Sequence, residues 1–126
     1  MRFLVKATIP VDAGNELVQD PQFGSRLERL LGDLKPETAY FAIEGGQRTM
    51  YLIVNVADAS QTPAIAEPLW LDFRADVELI PVMTRADMAR ATPSIVQAAK
   101  KYGTSGGTSA ASTSRRRARE TAGRTA

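Results

Sequence analysis

The chain has 126 residues, of which 44% are hydrophobic, 24% charged and 6% aromatic, which suits one small globular domain with a modest core. It contains neither Cys nor His, so disulfides, thiolate or imidazole metal sites, His-ligated haem and every Ser-His or Cys-His nucleophile pair are excluded. The net charge of +2 is unevenly spread: residues 103–126 carry five Arg and one Glu, while residues 1–102 carry 11 basic and 13 acidic groups.

In chain order, Arg2 to Ile9 alternates Phe3, Val5, Ala7 and Ile9 against Arg2, Leu4, Lys6 and Thr8, the period of a strand with one buried face. The run Asp12, Ala13, Gly14, Asn15 after Pro10 predicts an irregular turn. Phe23, Leu27, Leu30, Leu31 and Leu34 then form one helical stripe, with Asp20-Pro21 as its start, Ser25 with Glu28 as a competing capping box, and Lys35-Pro36 as its end. Thr38–Glu44 and Arg48–Val56 read as strands joined by Gly45-Gly46, a pair that accepts the positive φ values of a two-residue hairpin turn. After a loop with Asp58 and Ser60 as cap candidates, Pro63–Phe73 reads as a helix kinked at Pro68. Asp76–Met83 is the fourth strand, and Pro81, which cannot donate to a ladder, assigns it to a sheet edge. Thr92 and Pro93 predict the start of a C-terminal helix that ends at Lys100, Lys101 and Gly103.

The order strand, helix, strand, strand, helix, strand predicts an α+β class, a ferredoxin-like βαββαβ sandwich over residues 1–90, followed by a helical arm at 91–102. Strands one and three are expected in the sheet centre, with helices on one face only. The other face collects Leu4, Lys6, Thr8, Tyr40, Ala42, Glu44, Tyr51, Ile53, Asn55, Glu78, Ile80 and Val82, too apolar a set to leave in water. A second copy of the sheet, stacked across a two-fold axis, is the simplest cover.

The segments RFLVKATIPVDAGN, DPQFGSRLERLLGDLKPETAYF, YLIVNVADASQTPAIAEPLW and ADVELIPVM resemble the dimeric alpha/beta-barrel superfamily, related in fold to muconolactone isomerases and antibiotic-biosynthesis monooxygenases. The resemblance covers roughly residues 1–90 and implies a dimeric α/β barrel; no catalytic residue carries over, and members that rely on a His are out of reach.

Lys6, Tyr40, Tyr51, Asn55, Trp70 and Glu78 are the candidate ligand-binding residues, with Lys6, Tyr51 and Glu78 the candidate catalytic ones. A desolvated Lys can act as a base and a Tyr can donate to an oxyanion, which suits a cofactor-independent isomerase or monooxygenase. The alternative is that Lys6 and Glu78 pair across adjacent strands and that Trp70 packs a helix and walls a cleft. The expectation is a homodimer that holds a small, partly apolar molecule in an inter-sheet or sheet-helix cleft, with no metal, haem or other cofactor.

Residues 103–126 read as a disordered tail in which Arg115, Arg116, Arg117 and Arg119 could contact nucleic acid or another polyanion, though no aromatic residues interleave them. Gly103 to Gly107 matches the spacing G-x-S-x-G but lacks the His base and elbow that motif needs. No targeting segment or run of apolar residues long enough for a membrane span is visible, so a cytoplasmic protein is expected.

Overall fold

A computed structural model describes residues 1–104. They form two compact units divided between Met83 and Thr84. In the first, β1 (Arg2–Ile9) is followed by α1 (Val11–Gln19), α2 (Phe23–Leu34), β2 (Thr38–Glu44), β3 (Gln47–Asn55), α3 (Thr62–Phe73) and β4 (Asp76–Val82), with a 3-10 turn at Ala59–Gln61. The strands make one antiparallel sheet in the order β2-β3-β1-β4, which puts β1 and β3 in the centre and Pro81 on an edge. This mixed α+β arrangement is compatible with a ferredoxin-like fold.

Alternation decides which face is buried. Phe3, Val5, Ala7 and Ile9 of β1 and Met50, Leu52 and Val54 of β3 meet Leu17, Leu30, Leu34, Ile65, Leu69 and Phe73 of the helices in one core. Val5, Leu52 and Leu69 have no exposed surface, and each such side chain contributes about 1.5–3 kcal/mol relative to leaving it in water. Gly45 and Gly46 take φ values of 60° and 75° in the β2–β3 turn, as their pairing requires.

Two helices differ from expectation. The run Asp12 to Asn15, expected as a turn, lies inside α1, because Ala13 and Leu17, one turn apart, bury against the core and override the weak propensities of Gly14 and Asn15. Gly14 is a packing glycine: a β-carbon there would fall 2.5 Å from Arg48 Nη1. Asp20 then turns the chain into α2 by accepting from the Gln22 amide at 2.9 Å, while Ser25 Oγ donates to the Gln22 carbonyl, so Ser25 does not open a capping box.

The second unit contains α4 (Arg85–Tyr102), which begins about two turns before the expected start at Thr92-Pro93. A capping box explains the earlier start: the Asp87 amide donates to Thr84 Oγ1 at 3.1 Å, and the Thr84 amide donates to Asp87 Oδ2 at 2.9 Å. Thr92 sits inside the helix and donates its hydroxyl to the Met88 carbonyl at 2.9 Å, while Pro93 is carried without ending it. No residue of α4 is buried. None of the helices among the described residues is long and apolar enough to cross a membrane. The Arg115, Arg116, Arg117 and Arg119 cluster and most of the Gly103-to-Gly107 segment lie outside the described residues.

Candidate functional site

Register arranges the face opposite the helices into rows. Tyr40, Tyr51, Lys6 and Glu78 stand in line across β2, β3, β1 and β4; Thr38, Ile53, Leu4 and Ile80 form the next row; Asn55, Arg2 and Val82 the one after. Five of the six candidate residues therefore share one face. Trp70 does not: it lies on α3 in the helix layer, 47% exposed, beside Val77 and Leu79 in a separate shallow cleft.

The polar centre of the sheet face is a three-residue cluster. Lys6 Nζ forms an ion pair with Glu44 Oε2, and the Tyr51 hydroxyl donates to Glu44 Oε1. The expected Lys6–Glu78 pair does not form, although the two oppose each other in register. Glu44 wins because its two oxygens collect two partners, an ammonium and a phenol, where Glu78 offers Lys6 a single charge. To reach them it must cross the row of Ala42, Thr49 and Thr8, and Thr49 is only 2% exposed. Glu44, which the sequence places on this face but not among the candidate residues, is thus the centre of the cluster.

The cluster sets the charge states of its members. The hydrogen bond to Glu44 raises the Lys6 ammonium above its ordinary 10.5 despite partial desolvation, with Glu44, Tyr51 and Glu78 adding attraction. Glu44 is lowered below its ordinary 4.5 by its hydrogen bonds from Lys6 and Tyr51. Tyr51 is raised above 10.0, chiefly because its hydroxyl is held by that carboxylate. Near neutrality the three groups are a cation, an anion and a neutral phenol, an arrangement that can orient a polar ligand group but holds Lys6 away from the unprotonated form a base requires.

The remaining candidates lie around this centre. Asn55 Oδ1 accepts from the chain's terminal amine at 3.2 Å. Tyr40 is 67% exposed at the β2 edge and Glu78 is exposed on β4. Arg2 pairs with Glu37 at 3.0 Å. Among the described residues no group of three or more carboxylates gathers to hold a metal ion. Comparison with protein-family models, with curated proteins and with solved structures finds no match to this chain.

Proposed function

We propose that the protein is a homodimeric α/β barrel that binds a small, partly apolar molecule between two stacked sheets, without metal or haem. One observation carries this reading: the row of Ile53, Leu4 and Ile80, with Val82 beyond it, lies on the sheet face opposite the core that α1, α2 and α3 build, directly beside the Lys6–Glu44–Tyr51 cluster. An apolar band of that kind favours burial against a matching surface, and a two-fold copy about 10 Å away supplies one. Each copy would bring its own ammonium and phenol to the space between the sheets, where they would orient a polar group while the apolar rows hold the remainder of the molecule. The resemblance to the dimeric alpha/beta-barrel superfamily supports the same assembly.

The charge states favour binding over the alternative of a cofactor-independent isomerase or monooxygenase. Proton abstraction by Lys6 needs a depressed ammonium, and Glu44 raises it.

Light scattering at micromolar concentration tests the assembly: the expected mass is twice the 13.6 kDa of one chain. Ile53→Lys places a charge in the middle of the apolar row and should yield a folded monomer by circular dichroism. A wild-type protein that stays monomeric overturns the barrel. A small-molecule screen then tests the site: hits should be lost in Lys6→Met, and hits unaffected by that change would remove Lys6 from it.

A further inference from the structure

A second cleft opens on the opposite side of the sheet, within a single chain. The helix layer closes over β1, β3 and β4 but leaves the outer half of β2 uncovered, so Phe41 is 57% and Ile43 83% exposed. Between this strand and α1–α2 lies a cleft of about 250 Å³. Three of the chain's four phenylalanines, Phe23, Phe41 and Phe73, line it together with Leu27 and Met50. The one charged side chain on its wall is Arg48.

Arg48 is held in an unusual way for a surface cation. Gly14, buried in α1, leaves the space its guanidinium occupies, since a β-carbon there would lie 2.5 Å from Nη1 and 3.4 Å from Cζ. Nη1 donates to Asn15 Oδ1 at 3.3 Å, a neutral partner. Seven ion pairs tie down cations among the described residues, and Arg48 belongs to none of them. A guanidinium has five donors in a planar fork suited to a carboxylate, and the side chain that carries this one lines an apolar, ring-lined space.

We propose that this cleft binds a small monocarboxylate with an apolar, preferably aromatic tail, the carboxylate on Arg48 and the tail among Phe23, Phe41 and Phe73. Offset and edge-to-face contacts favour an aromatic tail in such a setting. The inference shares with the reading above the binding of a small molecule but places it on the other face, inside one protomer, so it does not depend on the dimer.

The test is a titration of the full-length protein with three probes of one carbon skeleton: phenylacetate, phenethyl alcohol and phenethylamine. Calorimetry gives the affinities and amide chemical shifts give the location. The expected result is that phenylacetate binds about tenfold or more tightly than either congener, as the loss of a charge-assisted pair implies, with shifts at Arg48, Thr49 and the α1 amides. Arg48→Met should abolish that preference and leave the alcohol unchanged. Gly14→Ala, which displaces the guanidinium and leaves the charge, should weaken phenylacetate alone. Equal binding of acid and alcohol overturns the carboxylate assignment while leaving an apolar cleft. Shifts confined to the Lys6 and Tyr51 rows, or no binding of any probe, overturn the site. Because the wild-type comparison needs no variant, a poorly folding Arg48→Met would not blunt it, and light scattering reports separately on the dimer.

Discussion

Glu44 joins two strands that are not neighbours, and its environment makes stability depend on pH at both ends of the scale. Its carboxyl is lowered in the folded chain, so its contribution is present above its ordinary 4.5 and is lost as the pH falls through the depressed folded value. Lys6 and Tyr51 are raised, so their contributions are present below 10.5 and 10.0 and are lost as the pH climbs through their folded values. Glu44→Gln should therefore lower the melting temperature near neutrality and approach the wild-type value at strongly acid pH. Melts recorded across the acid range check this, and a gap that stays constant down to low pH would show that the cluster contributes nothing through charge. Glu44→Ala should cost more than Glu78→Ala, because it is Glu44 whose loss strands the Lys6 ammonium. The face Glu44 occupies was legible from parity along β2. Its partners were not, because parity says nothing about a diagonal reach across an intervening strand.

Two of the helices, α2 and α3, end on left-handed residues. Lys35 closes α2 at φ 47° and Arg74 closes α3 at φ 50°, both carrying a β-carbon into a region that costs about 1–2 kcal/mol for an L-residue. Lys35→Gly and Arg74→Gly should each stabilise by up to about 1 kcal/mol once the extra freedom of glycine in the unfolded chain is set against that strain. Urea denaturation would measure it, and the Lys35 change is the cleaner one, since Arg74 also pairs with Glu16. The sequence marked the end of α2 correctly through Pro36, but the proline rule leads to an extended Lys35, and the backbone turned left-handed instead. Signals that act locally, such as Gly45-Gly46 or Asp58 accepting from the Ser60 amide at 2.8 Å, were readable. Gly14 was not, because its reason is the Arg48 side chain, 34 positions away in the chain. The helix layer is joined by another long-range contact of this kind: Arg26 of α2 reaches Asp20 at 2.7 Å and Asp72 of α3 at 2.8 Å.

At the scale of the whole molecule, every buried apolar side chain among the described residues falls between Phe3 and Ala75, inside the first unit, while α4 buries none. A chain ending at Met83 should therefore fold by itself, with a cooperative thermal transition within a few degrees of the full-length one. A broad or missing transition in circular dichroism would show that the second unit is needed for the fold. The same distribution explains why the sheet was easier to read than the helix after it: β1 and β3 announce themselves by complete alternation, whereas α4 has no core-facing stripe to fix its limits. The cleft around Arg48 escaped notice for a related reason. Phe23, Phe41 and Phe73 come from three elements, and only the packed sheet and helices bring them together.

The two outer strands of the sheet are unlike. On β4, which pairs only with β1 in the sheet, Pro81 has no amide hydrogen, so this outer strand lacks one backbone donor. On β2, the run from Thr38 to Glu44 has no proline and no lysine, and it displays Tyr40, Phe41 and Ile43 to solvent. Such an edge is open to strand addition. Two molecules meeting through β2 would each turn β4, with its missing donor, to the outside of the joined sheet, an arrangement that disfavours further lateral growth.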